Sequence, residues 1–180
     1  MVVLQVGKPA PKFKMDAVLP DKTFGTVSLE ELISGQKWTV LFFYPMDFTF
    51  VCPTEITSMS DYYEDFHDLD AEVIGVSTDT VYTHLAWINT DRDKNGIGPL
   101  QYPLAADHNQ QVARKYGVLV EEEGIALRGL FIINPQGELQ YQVVHHQNIG
   151  RDVEEVLRVL QALQTGKLCP ANWRPGEETL

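Results

Sequence analysis

The chain has 180 residues, a hydrophobic fraction of 44% and a charged fraction of 22%, which are ordinary values for one globular domain. The formal net charge of −11 argues against a nucleic-acid partner, which would need a basic face. No apolar stretch approaches the length of a membrane helix, and the first six residues are too short and lack the basic flank of a signal peptide. Two cysteines do not suggest a secreted disulfide scaffold, so we expect a cytoplasmic protein with no membrane partner.

The pattern of apolar residues predicts strands and helices that alternate along the chain. After a stretch rich in proline and glycine (Gly7–Gly25), the predicted elements are strand Trp38–Tyr44, helix Pro53–Leu69, strand Glu72–Ser77, helix Val81–Asn89, a short strand near Leu104, helix Gln110–Tyr116, a hairpin of Gly129–Ile133 and Leu139–Val144, and helix Val153–Leu163. This order predicts an α/β protein with a thioredoxin-like fold, an N-terminal extension and a C-terminal arm. We expect a single domain, with 1–165 as its body and 166–180 as the arm.

Cys52 lies where a buried strand gives way to a helix. The run Trp38–Tyr44 ends at Pro45, and Pro53 suits the first position of a helix, where its missing N–H costs nothing. We therefore expect Cys52 at or beside a helix N-cap, where open backbone N–H groups and the helix dipole favour a thiolate, the nucleophilic form. The placement alone fits a small buried hydrophobe equally well.

Three neighbours of this cysteine could support a thiolate. Thr49 offers a hydroxyl that can hydrogen-bond a thiolate or a bound oxygen, and Pro45 can shield the site from water because its φ is locked. Glu55 can bond back to the helix start, as in a capping box, or orient a cation near the sulfur. Taken singly, Thr49 is more simply a turn residue and Glu55 a favourable acid in the first helical turn.

Taken together, Pro45, Thr49 and Cys52 form the pattern P-x-x-x-T-x-x-C within FTFVCPTE. Here the sequence resembles the peroxiredoxins, specifically their typical two-cysteine branch, which is like the alkyl hydroperoxide reductases. The resemblance covers nearly the whole chain in the family's order. It continues through HLAWINT (84–90), GVLVEEEGIALRGLFIINPQG (117–137), IGRDVEEVLRVLQALQ (149–164) and CPANWRPG (169–176).

The resemblance assigns a role to each matching position. Cys52 would be the peroxidatic cysteine, Thr49 would hydrogen-bond the peroxide, and Pro45 would shield the pocket. Arg128 matches the family's active-site arginine, and a guanidinium does present a fixed fork of donors to a developing negative oxygen. Without the resemblance, a surface arginine would be the simpler interpretation of Arg128. Cys169 matches the resolving cysteine, which in the family comes from the partner subunit; the sequence itself leaves intrachain and intersubunit pairing open.

The resemblance implies a thiol-dependent peroxidase that reduces hydrogen peroxide and small organic hydroperoxides through a sulfenic acid and an intersubunit disulfide. A thioredoxin-like protein or a dedicated flavoprotein reductase would restore both thiols. It implies a homodimer and leaves assembly into a decamer open. We expect no cofactor and no metal, since the adjacent His145 and His146 would point to opposite faces of a strand. A peroxide sensor or redox-switched chaperone, and a binding module that has lost catalysis, are the alternatives.

One loop departs from the pattern of the family's sensitive eukaryotic members. Those members have a GGLG loop and a C-terminal helix with Tyr-Phe, which together slow disulfide formation. This chain has Asn95-Gly96-Ile97-Gly98 and carries no Tyr-Phe in its final residues, Gly176–Leu180. We therefore expect fast resolution and resistance to overoxidation.

Overall fold

The computed structural model describes residues 3–180. Met1 and Val2 lie outside the described residues. They belong to the predicted domain body, 1–165, and to the six residues that were compared with a signal peptide. The strands are β1 Lys14–Val18, β2 Phe24–Ser28, β3 Trp38–Phe43, β4 Ala71–Ser77, β5 Leu104–Ala106, β6 Leu119–Val120, β7 Ile125–Ala126, β8 Arg128–Ile133 and β9 Leu139–His145. The helices are α1 Leu29–Ser34, α2 Cys52–Asp61, α3 Tyr63–Asp68, α4 Val81–Ile88, α5 Gln111–Lys115 and α6 Val153–Thr165. None of the helices in the described part of the chain is long and apolar enough to cross a membrane.

A seven-stranded mixed sheet forms the centre, in the order β2-β1-β5-β4-β3-β8-β9. Strand β3 pairs in parallel with β4 and antiparallel with β8, so that it lies inside the sheet. Its side chains alternate between two cores: Val40 and Phe42 pack with α2, α4 and α6, whereas Leu41 and Phe43 pack with α1 and α5. Helices on both faces explain why β3 is a continuous apolar run.

The order of the elements predicted from Trp38 onwards is confirmed, but the bounds of one helix were wrong, and no element was predicted before Trp38. The helix expected over Pro53–Leu69 is two helices, because the backbone turns at Tyr62, whose N–H bonds back to the last carbonyls of α2. Apolar residues continue through this junction, so their spacing does not reveal it. No element was predicted in the stretch Gly7–Gly25, yet it contains β1, which pairs with β2 and β5.

The C-terminal residues after α6 fold back onto that helix. Arg158 of α6 donates from Nη1 to the backbone carbonyl of Trp173 over 2.9 Å, and the Trp173 ring is buried. The Trp173 indole N–H donates to the carbonyl of Glu177. These contacts hold the segment that carries Cys169 against the last turns of α6.

Candidate active site

Cys52 is the first residue of α2, directly after the N-cap residue Val51 and directly before Pro53. Its side chain is fully buried, with 0% exposure. The Sγ atom accepts a hydrogen bond from Nη1 of Arg128 over 3.3 Å. The predicted position at a helix start is therefore confirmed, and the sulfur faces a guanidinium inside the protein.

Glu55 fixes the orientation of that guanidinium. Its carboxylate lies one turn along α2 from Cys52 and is 4% exposed, while Arg128, at the start of β8, is 3% exposed. Nη1 of Arg128 donates to Oε1 of Glu55 over 2.6 Å, and Nε donates to the carbonyl of Gln147 over 2.7 Å. Of the two sequence-based interpretations of Glu55, the geometry matches the one in which it orients a cation.

A second arginine, Arg151, completes the buried cluster. Its Nε donates to Oε2 of Glu55 over 2.6 Å, and its backbone N–H donates to the same oxygen over 2.8 Å. Its Nη1 donates to the carbonyl of Gly129, and its guanidinium lies over the ring of Phe42. Sequence reasoning gave Arg151 no role, although the segment IGRDVEEV that carries it was part of the resemblance.

The charges of this cluster favour a negative sulfur. Arg128 and Arg151 bring two positive charges, and Glu55 brings one negative charge, so the group carries one positive charge in excess. A buried charge is costly unless it is paired. A thiolate at Cys52 supplies the missing negative charge, 3.3 Å from the Arg128 guanidinium.

Pro45 and Thr49 lie in the segment that leads from β3 into α2. Pro45 is buried, and Thr49 is half-buried. The Thr49 hydroxyl donates to the carbonyl of Met46 over 2.9 Å, and the Thr49 carbonyl accepts from Nδ2 of Asn95 over 3.1 Å. The structure thus brings Cys52 and Arg128 into direct contact, and it places Pro45 and Thr49 in the segment between β3 and α2, seven and three residues before Cys52.

The same segment is anchored by a buried ion pair that sequence reasoning missed. Nδ1 of His84 lies 2.6 Å from Oδ2 of Asp47, and Tyr44 donates its hydroxyl to Oδ1 of Asp47. Nε2 of His84 donates to the carbonyl of Ala105, so this nitrogen carries a proton. Burial acts to lower the pKa of His84, but its hydrogen bond to Asp47 and the charge of that carboxylate outweigh burial, and the pKa is raised above its ordinary value.

Cys169 lies far from this cluster along α6. Its Sγ is 3.5 Å from Oγ1 of Thr165 and 3.8 Å from the carbonyl of Ala162, at the C-terminal end of the helix. Arg151, which binds Glu55, lies two residues before the N-terminal end of the helix. The 13 residues of α6 span about 20 Å, whereas a disulfide needs Cα atoms within about 7 Å. Both cysteines are free thiols.

The residues that could hold a metal are scattered. In the described range, 3–180, no three His, Cys, Asp or Glu side chains are grouped as a metal site would require. The adjacent His145 and His146 lie at the end of β9 and in the turn after it, and Nδ1 of His146 accepts from the backbone N–H of Asn148.

Comparison with known proteins agrees with this geometry. Residues 6–142 match the model of the AhpC/TSA family, and residues 162–180 match the model of the C-terminal domain of 1-Cys peroxiredoxin. The chain is 74% identical to YkuU of Bacillus subtilis (strain 168), which carries a peroxiredoxin name, over the full length of both chains. It is 50% identical to the chloroplastic 2-Cys peroxiredoxin BAS1 of Spinacia oleracea, over 97% of this chain and 67% of that protein.

A solved structure gives the same result for the fold. The reduced 2-Cys peroxiredoxin of Plasmodium vivax superposes with a TM-score of 0.94 at 42% identity, covering 97% of this chain and 91% of that one. The chain belongs to the AhpC/TSA family of peroxiredoxins. The predicted family and the predicted thioredoxin-like α/β fold are confirmed, and the protein is a thiol peroxidase.

Substituting Glu55→Gln should destabilise the fold. The change leaves two buried guanidinium groups without their counter-charge, and breaking a buried ion pair from one side costs about 3 to 5 kcal/mol. We expect a loss of this size in the free energy of unfolding, measured by urea denaturation. Glu154→Gln, which alters an exposed glutamate on α6, should change it by less than about 0.5 kcal/mol. Equal effects of the two substitutions would contradict the buried-charge account.

Substituting His84→Gln should destabilise the protein more at pH 6 than at pH 9. The folded-state pKa of His84 is raised, so its contribution to the free energy of unfolding is fully present below the pKa of the unfolded chain, about 6.5. This contribution is lost as the pH rises through the folded-state pKa. Urea denaturation should show a loss of about 3 kcal/mol at pH 6 and a smaller loss at pH 9. His67→Gln, an exposed histidine, serves as the control. The same loss at both pH values would contradict a charged His84.

Proposed function

We propose that this peroxidase works through a two-cysteine cycle in which Cys52 is peroxidatic and Cys169 is resolving. The observation that supports it most strongly is the 3.3 Å contact between Cys52 Sγ and Arg128 Nη1 in a site closed to water. A structural buried cysteine needs no charged donor on its sulfur, and the buried cluster of Arg128, Glu55 and Arg151 holds one positive charge more than Glu55 can neutralise.

In the first step, the Cys52 thiolate attacks one oxygen of a peroxide, ROOH. An S–O bond forms, the O–O bond breaks, and RO⁻ leaves and takes up a proton to become ROH. The sulfur is oxidised by two electrons to a sulfenic acid, and the peroxide is reduced. Arg128 donates to the oxygen on which negative charge develops, Thr49 hydrogen-bonds the bound peroxide, and Pro45 keeps water out.

The burial of Cys52 supports hydrogen peroxide and small organic hydroperoxides as substrates. Because the sulfur has no exposed surface, a compact peroxide would need only a small local opening to reach it, whereas a bulky hydroperoxide would need a much larger one. No metal or other cofactor takes part in this reaction, because the thiolate itself supplies the electron pair.

In the second step, the thiol of Cys169 attacks the sulfenic sulfur, an S–S bond forms, and water leaves. The separation of the two cysteines by the length of α6 supports a Cys169 from the partner subunit of a homodimer, carried on the arm 166–180. A thioredoxin-like protein or a flavoprotein reductase then reduces the disulfide by exchange. Two free thiols also suit a reducing compartment, and we place the protein in the cytoplasm.

A non-reducing gel tests this cycle directly. Fully reduced protein should shift to a covalent dimer after one equivalent of hydrogen peroxide, because Cys52 of one subunit joins Cys169 of the other. Cys52→Ser and Cys169→Ser should each abolish the shift, and mixing the two variants should restore a dimer that carries a single disulfide.

Two outcomes would contradict parts of the proposal. A fast disulfide within one chain would keep the peroxidase chemistry and overturn the intersubunit pairing. Oxidation of Cys52 at the rate of free cysteine would overturn its role as the peroxidatic residue.

A further inference from the structure

The first step of the proposed cycle needs a proton that the groups described so far do not supply. The alkoxide RO⁻ leaves when the O–O bond breaks, and it becomes ROH only by taking up a proton. An arginine keeps its proton at any working pH, so Arg128 cannot give one. The Thr49 hydroxyl already donates to the carbonyl of Met46. A histidine beside Arg128 would suit this step, because histidine exchanges a proton near neutral pH.

His145, the last residue of β9, lies beside Arg128 on the same face of the sheet. The two residues are opposite each other in the antiparallel pairing of β8 with β9. Side chains at opposite positions project to the same side of the sheet, with Cβ atoms about 5 Å apart. Tyr141 and Val143 pack against the core that α2 and α6 cover, and the period of two in a strand places His145 on this face as well.

The chain that follows His145 borders the buried cluster of the active site. The carbonyl of Gln147 accepts from Nε of Arg128 over 2.7 Å, and the backbone N–H of Arg151 donates to the carboxylate of Glu55 over 2.8 Å. Residues 145–151 therefore run from the position opposite Arg128 to the carboxylate that orients its guanidinium.

The ring of His145 has the partial exposure that a proton donor needs. The side chain as a whole is half-buried. Its Nδ1 atom is buried, and among residues 3–180 this nitrogen has no hydrogen-bond partner. A buried polar atom without a partner is costly and calls for a functional explanation. The exposed part of the ring can take up a proton from solvent, while the buried nitrogen can give one to a group inside the protein.

We propose that His145, in its protonated form, gives a proton to the oxygen that leaves when Cys52 attacks a peroxide. The inference rests on the proposed function. The electron pair of the O–O bond leaves with RO⁻, and the proton moves from His145 to that oxygen directly or through one water molecule. The products are ROH and a neutral imidazole, which regains its proton from solvent.

The charged groups around His145 leave proton exchange near neutral pH to this residue. They are Arg128 of β8, Glu55 of α2, Arg151 before α6, and Glu155 and Arg158 of α6, which lie near Tyr141. The arginines keep their protons, and each of the two carboxylates is paired with an arginine. Loss of the proton from His145 as the pH rises should therefore remove the donor and slow the reaction.

The test measures the reaction of Cys52 with two peroxides by competition kinetics, in proteins that all carry Cys169→Ser. Hydrogen peroxide releases hydroxide, which needs a proton, whereas peracetic acid releases acetate, which does not. At pH 6, His145→Gln should slow the reaction with hydrogen peroxide about 100-fold, which lies within the usual contribution of a general acid. The reaction with peracetic acid should change less than about threefold, because its leaving group is stable without a proton.

The pH profile and a neighbouring histidine provide two controls. The effect of His145→Gln on the reaction with hydrogen peroxide should shrink between pH 6 and pH 9, because histidine loses its proton as the pH rises. His146→Gln alters the adjacent histidine, which is exposed and whose Nδ1 accepts from the backbone N–H of Asn148. This variant should react with both peroxides as the parent protein does.

The outcomes separate the inference from the proposed function. Equal slowing with both peroxides would indicate a structural role for His145 and would overturn the inference, as would the same loss in His146→Gln. A fast reaction of the parent protein with hydrogen peroxide that His145→Gln leaves unchanged overturns the inference alone. A parent protein that reacts with both peroxides no faster than free cysteine overturns the proposed role of Cys52, and the inference with it.

Discussion

The carboxylate of Glu55 between two buried arginines is the interaction on which the rest of the site depends. Arg128 and Arg151 come from two distant parts of the chain, and each would be costly in the interior without a counter-charge. One carboxylate cannot neutralise both. The excess positive charge faces the sulfur of Cys52, and in the proposed cycle this charge would favour the thiolate that attacks the peroxide.

The architecture explains how four residues from distant parts of the sequence meet. Strand β3 delivers the chain to Pro45, and α2 begins seven residues later with Cys52 and Glu55 on its buried side. Strand β8 lies beside β3 and begins with Arg128. Helix α6 packs with α2 over the same core, so Arg151, two residues before α6, reaches the carboxylate.

The burial of Cys52 would hide its sulfur from the thiol that completes the proposed cycle. A rigid site would stop at the sulfenic acid, and a loose site would not hold the thiolate against Arg128. The chain between β3 and α2 contains Phe48, whose φ of 58° lies in the left-handed region and whose ring packs against Trp87 of α4.

The sequence could predict those helices and strands that are determined by residues close together in the chain. Pro53 predicted the start of a helix directly after Cys52, and α2 begins one residue earlier, at Cys52 itself. The apolar run beginning at Trp38 predicted β3. Contacts between distant residues could not be predicted this way. A buried arginine such as Arg151 looks like a surface arginine until its carboxylate is located, and the pairing of Asp47 with His84 joins residues 37 positions apart.

The most direct test of the central claim is the reaction rate of Cys52 with hydrogen peroxide when Arg128 is altered. Both proteins would carry Cys169→Ser, so that Cys52 is the only thiol. Competition kinetics would compare the rate of the protein that keeps Arg128 with that of the Arg128→Met variant. We predict a fall of about 100- to 1,000-fold, the usual effect of removing one donor to a developing oxyanion. Equal rates in folded proteins would contradict the claim that Arg128 activates Cys52.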